Sequence, residues 1–262
     1  MPIIIRYSVH EVVPYINWIY FYYAWQLRDA EAQQRQRKDA EAVLAELNGK
    51  YQVYALFELL EANADGDDIM AGGHRIPLLR QQTGDCLCLS DFIRPSSSGV
   101  KDRIGVFATS VDHGLERDFD TDPYMKMMVQ LLADRLAEAA AEKMHESVRR
   151  TYWGYAPDEQ LSIDELHAER FVGIRPAIGY PSLPDTSVNF VLDEMIDLKQ
   201  IGIRLTESGA MKPHASVSGL MISLPQAHYF SIGRIGHDQL ADYAKRRGLP
   251  VEVVRKFLSS NL

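Results

Sequence analysis

The sequence predicts a single α+β domain in which a mostly antiparallel, twisted sheet is flanked by helices. The chain has 262 residues and a hydrophobic fraction of 46%, which is enough to bury one sizeable core. Helical and strand-like segments are mixed without a regular strand–helix alternation, and this favours α+β over a doubly wound parallel sheet. Because no internal repeat divides the chain, residues 1–262 are predicted as one domain, helical over about 8–50 and mixed thereafter.

The N-terminal part is predicted to form two helices. Ser8 to Leu27 is rich in aromatic side chains, and Pro14 lies near enough to the beginning to be tolerated in a first turn. Glu31 to Leu47 is polar except near its end, which predicts a second, largely solvated helix. Gly49 follows it as a stop signal.

The middle of the chain, between residues 51 and 107, has the texture of strands. Short apolar runs alternate with turn signals such as Asp65-Gly66 and Gly72-Gly73, and Pro95 to Gly99 is predicted to be a loop. We therefore expect hairpins or short strands here, with Arg103 to Thr109 as a buried strand.

Pro123 to Arg150 is predicted to be one long helix. Asp122 can cap it, and Pro123 then occupies the first helical position, where the missing N–H has no intrahelical partner to lose. One apolar stripe recurs every four residues: Met128, Leu132, Leu136, Ala140, Met144 and Val148. Periodicity alone places the following polar side chains on an opposite, solvated face: Asp134, Glu138, Glu142 and His145.

The C-terminal part mixes both kinds of element. Its predicted helices are Ile163 to Glu169, Val188 to Gln200, His237 to Arg247 and Val251 to Leu258. Its predicted strands, joined by a turn around Pro225, are Ser216 to Ser223 and Tyr229 to Ile235. Between the first two of these helices lies a segment dense in turn signals, Arg175 to Pro184.

Charge and cysteine content exclude several classes of function. A net charge of −8 disfavours binding to nucleic acid or to an anionic membrane surface. No apolar run reaches the roughly 20 residues of a membrane span, and no secretory signal is visible. Cys86 and Cys88 would point to the same face of an extended segment, so we expect two buried free thiols in a reducing cytoplasm.

Familiar catalytic motifs are missing. No G-x-G-x-x-G occurs between a strand and a helix, which disfavours a Rossmann unit and a Rossmann-type methyltransferase. Cys86-Leu87-Cys88 has the wrong spacing for zinc, and no metal site is predicted. Asp112-His113-Gly114 lacks the D-x-H-x-x-G spacing that supplies a histidine to cobalt. The sequence therefore predicts no self-contained catalytic centre and no catalytic residue.

The segment Arg175-Pro176-Ala177-Ile178-Gly179-Tyr180-Pro181 is unusual on physical grounds. Its prolines remove two donors and are expected to leave carbonyls without local partners, while Gly179 allows a positive φ. Arg175 offers a planar fork suited to a carboxylate, and Tyr180 adds an aromatic face with a polar tip. Such a loop can bind a small amphoteric ligand; the alternative is a structural turn whose arginine pairs with a neighbouring acid.

This segment resembles the R-P-A-x-G-Y-P signature of the activation domain of cobalamin-dependent methionine synthase. The resemblance extends over nearly the whole chain, and the combination is far more specific than any one piece. Further similar segments are Pro14–Trp18, Gly66–Ile69, Leu79–Gln82, Asp91-Phe92, Ile104-Gly105, Ala133–Glu138, Val148–Arg150, Tyr152–Pro157, Leu205–Ser208 and Ala215–Gly219.

The resemblance implies the fold of that activation domain and a role in reactivation. In the family, the domain binds S-adenosylmethionine and hands its methyl group to cobalt after one-electron reduction of inactive cob(II)alamin. The electron comes from flavodoxin or a similar flavoprotein. Cobalamin is expected on a partner module, so the chain alone should bind S-adenosylmethionine and turn nothing over.

The resemblance also implies a set of ligand-binding residues. Arg175 matches the arginine that engages the carboxylate, and Ala177 and Gly179 lie where the main chain contacts the ligand. Tyr180 matches a position near both ligand and corrin, and Tyr229 matches an aromatic residue of the site. The acids that would lie beside the positively charged ligand are Glu138 and, one turn earlier, Asp134.

Two departures from the family pattern stand out. At Asn17 the family commonly has aspartate, which contacts the ligand's amino group, so we expect weaker binding here. Thr186 follows Asp185 where a histidine is frequent near the corrin-facing loop. Three alternatives stay open: a freestanding methyltransferase, a reactivation partner of another corrinoid methyltransferase, and a non-catalytic S-adenosylmethionine sensor.

Overall fold

An antiparallel sheet forms the centre of the computed structural model, which describes all residues from 1 to 262. The strands are β1 (Ile3–Ser8), β2 (Gln52–Asp65), β3 (Asp68–Ala71), β4 (His74–Pro77), β5 (Asp102–Val111), β6 (Arg204–Leu205), β7 (Met211–Lys212) and β8 (Ser216–Met221). The helices are α1 (Val9–Val12), α2 (Trp18–Ala24), α3 (Ala30–Leu47), α4 (Gly114–Arg117), α5 (Pro123–Ser147), α6 (Ile163–His167), α7 (Val188–Ile196), α8 (His237–Arg247) and α9 (Val251–Phe257).

The main sheet is built on β2, a strand of 14 residues. One edge of β2 pairs first with β1 and then with β3, while the other edge pairs with the whole of β5 from Val53 to Ala62. The strand order is β4-β3-β2-β5-β8 with β1 beside β2, and every pairing is antiparallel. The predicted α+β class with a mostly antiparallel sheet flanked by helices is therefore confirmed.

Both faces of the sheet are covered, which explains the long apolar runs in its central strands. Successive residues of a strand point to opposite faces, and the neighbours Leu56 and Phe57 are both fully buried. Phe57 belongs to the apolar cluster shared with α3 and α5, and Leu56 belongs to the cluster on the α7 side. A third, smaller cluster joins α8 and α9 to the body of the fold.

Helix α5 begins as predicted and ends slightly earlier. The Asp122 carboxylate accepts from the amides of Tyr124 and Met125 at 2.9 and 3.2 Å, and residues Val148–Tyr152 continue as a π-helical turn. The prediction of a solvated face is wrong, because Phe171, Arg175 and Tyr180 contact His145, Glu142 and Glu138 on that side of α5. Glu138 and Glu142 are half-buried there, and His145 is fully buried.

The predicted helix from Ser8 to Leu27 is wrong in its continuity. Strand β1 precedes it, and a 3-10 turn over Val13–Tyr15 separates α1 from α2. Pro14 lies beyond the first turn of a helix that begins after Ser8, and a proline in that position cannot donate to the preceding turn. Asn17 then starts a new helix, because its Oδ1 accepts from the Ile19 amide at 3.2 Å.

Several predicted elements differ in extent. The second predicted helix is confirmed as α3, and the C-terminal pair is confirmed as α8 and α9. The helix predicted from Val188 ends at Ile196, since Asp197 has a left-handed φ of 49° and a 3-10 turn follows. The prediction of a strand over Tyr229 to Ile235 is wrong, because this stretch joins no sheet.

The cysteine prediction is wrong for one residue. Cys88 is buried, but Cys86 is exposed and has a φ of 54°. A left-handed residue interrupts an extended segment, so the alternation that would point both thiols to one face does not apply.

Candidate functional site

The Arg175–Pro181 segment runs antiparallel along the free edge of β8 and extends the sheet there. Ile174 exchanges two hydrogen bonds of 2.9 Å with Ile222, and the Ile178 amide donates to the Ser218 carbonyl at 2.9 Å. The close approach depends on Gly219, since a Cβ at this position would lie 2.2 Å from the Pro176 carbonyl oxygen. The sheet therefore fixes where this segment presents its side chains.

The expectation that prolines leave carbonyls without local partners holds for Arg175, whose carbonyl accepts no hydrogen bond, and is wrong for three other carbonyls of the segment. The carbonyls of Pro176, Ala177 and Pro181 accept from the amides of Leu220, Tyr180 and Ile232. Antiparallel pairing instead leaves alternate residues facing away from β8. There the Arg175 amide donates to the Tyr229 hydroxyl at 2.9 Å, and the Ala177 amide donates to no protein acceptor.

These outward-facing groups border a cavity of about 540 Å³ between the segment, α5 and the N-terminal turn. Its volume lies within the range of small-molecule sites, roughly 300–1,000 Å³. Its lining residues are Tyr15, Asn17, Tyr20, Phe107, Arg135, Glu138, Ala139, Glu142, Leu166, His167, Glu169, Arg175, Pro176, Ala177, Tyr180, Pro181, Ser182, Val217, Tyr229 and Phe230.

An ion pair lies in the wall of the cavity. The Arg175 guanidinium donates through Nη2 to Glu142 Oε1, and the side chains are 9% and 19% exposed. Burial acts to lower the pKa of Arg175, but the Glu142 carboxylate leaves that pKa raised, so the charge is kept. The Phe107 ring packs against the guanidinium, with its centroid 5.8 Å from Cζ. Arg175 thus both pairs with an acid and lines a cavity.

Tyrosine hydroxyls and a second carboxylate add to the polar lining. The Tyr180 hydroxyl donates to Glu138 Oε1 at 2.9 Å, and burial together with Glu138 raises the pKa of Tyr180. Burial raises the pKa of Tyr229 to about 12. Both phenols are therefore neutral donors near neutral pH and do not add negative charge to the site.

Six of the eight residues proposed from the sequence line this cavity: Asn17, Glu138, Arg175, Ala177, Tyr180 and Tyr229. Asp134 and Gly179 do not. Asp134 Oδ1 lies 3.7 Å from His214 Nδ1, and burial raises the pKa of that carboxyl. Gly179 has the anticipated positive φ of 89° and forms a tight turn, with its amide donating to the Leu183 carbonyl at 2.8 Å. A binding role for any of the eight remains a prediction.

Sequence reasoning missed two carboxylates of the cavity, Glu142 and Glu169. Glu142 follows Glu138 by four residues and so shares its helix face, a spacing that could have identified it. Glu169 is exposed at the mouth of the cavity just after α6, with a φ of 55°. Burial and the neighbouring Glu142 raise the pKa of Glu169. No local pattern in the sequence indicates that Glu169 would lie here.

Neither a metal site nor a membrane-spanning helix is found in the structure. No group of three or more histidine, cysteine, aspartate or glutamate side chains is arranged to hold a metal ion. None of the helices combines the length and the apolar character that crossing a bilayer requires.

The fold and the cavity define a class of α+β domain, in which a ligand-sized site lies at the edge of an antiparallel sheet. Residues 8–248 match the family described as the vitamin B12 dependent methionine synthase activation domain, and the chain belongs to this family. The chain is also similar to the MetH reactivation domain in its crystal structure bound to AdoHcy. The identity is 38%, the TM-score is 0.95, and the alignment covers 100% of this chain and 90% of that one.

Proposed function

We propose that the chain binds S-adenosylmethionine in the cavity beside Arg175 and supplies its methyl group for reductive remethylation of cob(II)alamin in cobalamin-dependent methionine synthase. Family membership supports the reactivation role. The observation that carries the ligand assignment is the cavity, in which two arginines, three glutamates and several aromatic rings converge. The similar MetH reactivation domain was crystallised with AdoHcy, the product of methyl transfer from S-adenosylmethionine.

The residues present fit the ligand. S-adenosylmethionine carries a carboxylate, an ammonium and a sulfonium, which call for an arginine, for acids and for aromatic surface. Arg175 supplies a cation for the ligand's carboxylate, while Glu138, Glu142 and Glu169 supply negative charge for its ammonium and sulfonium. The free Ala177 amide and the neighbouring tyrosines offer further contacts without introducing charge.

The chain's contribution to the reaction is then positioning. Reduced cobalt on the partner module supplies the nucleophile, and S-adenosylmethionine supplies the methyl group. Tyr180 is 52% exposed and lines the cavity, and this exposure supports a contact with an incoming corrin. No general base is required of this chain, so the cavity needs only to hold the ligand with its methyl group outward.

Calorimetry with S-adenosylmethionine tests the proposal. We predict measurable binding by the wild type and a loss of about 1.5–3 kcal/mol in Arg175→Ala, because a charge-assisted contact disappears. The control is Arg6→Ala, which removes an exposed arginine outside the cavity. Thermal unfolding of both variants guards against a folding defect, since Arg175→Ala also leaves Glu142 without its partner. Absence of binding by folded wild type would refute the proposal.

The partners belong to the same proposal. A cobalamin-bearing module of methionine synthase would carry the corrin, flavodoxin or a similar flavoprotein would supply the electron, and the setting would be the cytoplasm. Methylcobalamin formation should require this chain, the cobalamin module, a reductant and S-adenosylmethionine together. Methyl transfer by the chain alone would instead favour a freestanding methyltransferase.

A further inference from the structure

Two buried polar atoms of the Arg175–Glu142 pair have no partner in the protein. Nη1 of Arg175 is a donor without an acceptor, and Oε2 of Glu142 is an acceptor without a donor. Both residues line the cavity. An unsatisfied buried polar group costs about 1–3 kcal/mol, so the wall of this cavity is stabilised by any ligand that satisfies both atoms.

The two unsatisfied atoms are complementary to one kind of chemical group. An α-amino acid carries an ammonium donor and a carboxylate acceptor on the same carbon, so the protein groups that bind them must lie side by side. Among the carboxylates lining the cavity, only Glu142 forms an ion pair with Arg175. Glu138 is instead hydrogen-bonded by Tyr180. The exposed Glu169 side chain forms no hydrogen bond or ion pair.

We propose that Glu142 binds the ammonium group of the ligand's amino-acid end while Arg175 binds its carboxylate. The ion pair would then bind both charged groups of the zwitterion together. This inference rests on the proposed function, and it names a residue that sets specificity within the same cavity. Each member of the pair exchanges part of its internal contact for an opposite charge on the ligand, so neither charge is left buried without compensation.

The pairing gives Glu142 a particular importance in this chain. Asn17, the other candidate for the amino group, is uncharged, and its Oδ1 already accepts from the Ile19 amide. An ammonium group has three donors, so it can bond both Asn17 and Glu142. Glu142 supplies the negative charge that Asn17 lacks.

Calorimetry with three thioethers distinguishes this role from simple orientation of Arg175. S-adenosylhomocysteine has both charged groups, decarboxylated S-adenosylhomocysteine has only the ammonium, and methylthioadenosine has neither. In Glu142→Gln we expect affinity for the first two to fall at least about tenfold, and affinity for methylthioadenosine to change less than about twofold. The control Glu46→Gln, on the exposed face of α3, should bind all three like the wild type.

Each other outcome overturns the inference in a different way. If Glu142→Gln weakens S-adenosylhomocysteine but not its decarboxylated form, Glu142 only orients Arg175. If it weakens methylthioadenosine equally, the effect is a general disturbance of the cavity. If the wild type binds S-adenosylhomocysteine and the variant binds it equally well, the inference alone fails. If the folded wild type binds none of the three, the proposed function fails with it.

Discussion

Single residues of this site have two tasks, one structural and one directed at the cavity. Asn17 begins α2 through its side chain while also lining the cavity. Arg175 donates its amide to Tyr229 and its guanidinium to Glu142. Because the same residues hold the local fold and line the cavity, a substitution must preserve the first task if its effect on ligand binding is to be measured.

At this scale, Asn17→Asp is expected to tighten binding of S-adenosylmethionine. Aspartate caps a helix as well as asparagine does, so α2 should be unaffected, while a charged hydrogen bond to the ligand's amino group adds up to about 1–2 kcal/mol. Calorimetry of the two proteins measures the difference. Asn48→Asp adds the same charge outside the cavity, at a side chain that accepts from the His10 amide. Equal affinities of wild type and Asn17→Asp would count against a contact at this position.

At the scale of elements, the site depends on one strand-like segment lying close against β8. Residues 174–178 contain one proline, Pro176, and belong to no named strand, yet they continue the sheet through alternate hydrogen bonds. The Pro176 carbonyl accepts from the Leu220 amide, so the missing Pro176 donor also faces β8 and leaves one hydrogen bond of the ladder unmade at this sheet edge. Gly219 removes the only side chain that would hold this segment away from β8 at the Ala177 bridge.

Gly219→Ala should therefore displace the segment. The added Cβ meets backbone rather than a movable side chain, so we expect a loss of about 1–3 kcal/mol in unfolding free energy together with weaker S-adenosylhomocysteine binding. Urea denaturation and calorimetry measure the two effects. Gly66→Ala is the comparison, because its Cβ meets nothing and only its φ of 61° is strained; it should lose stability without losing affinity. Unchanged affinity in Gly219→Ala would contradict the argument.

At the scale of the whole molecule, the long helix α5 links the site to the stability of the fold. One turn beyond Glu142 it carries His145, which is fully buried against the Phe171 ring at a centroid distance of 4.9 Å. Burial, together with the Arg149 and Arg175 cations, holds the pKa of His145 well below its ordinary value. The folded protein therefore keeps this imidazole neutral in conditions where the unfolded chain would protonate it.

The unfolding free energy should therefore change with pH, in a direction set by proton linkage. Below the unfolded-state pKa of about 6.5, the unfolded chain binds a proton that the folded one does not, so unfolding becomes easier as pH falls. His145 alone should remove up to about 1.4 kcal/mol per pH unit below about 6.5, and nothing above it. We expect the unfolding free energy, measured by urea denaturation between about pH 5 and 8, to depend less on pH in His145→Gln than in the wild type. The exposed-site control His10→Gln should behave like the wild type. The same pH dependence in His145→Gln and in the wild type would show that another titrating group controls stability in this range.

The sequence by itself determined the fold class, the capped start of α5 and the Arg175–Pro181 segment as the place to look for a ligand. These rest on local signals, namely periodicity, turn chemistry and a short motif, whose causes lie within a few residues of one another. Reliance on local signals also explains the error at Ser8 to Leu27. The aromatic content predicts one continuous helix, although Pro14 and the cap at Asn17 divide it.

Tertiary structure alone decided which charges meet. Glu142 and Arg175 are 33 residues apart, Tyr229 reaches Arg175 from 54 residues away, and Glu169 has no pattern that indicates its place. Periodicity predicts a solvated face of α5 for Glu138, Glu142 and His145, but the chain segment from Phe171 to Tyr180 packs against them. Burial and pairing depend on what the rest of the chain packs against a surface, and that information is absent from any short stretch of sequence.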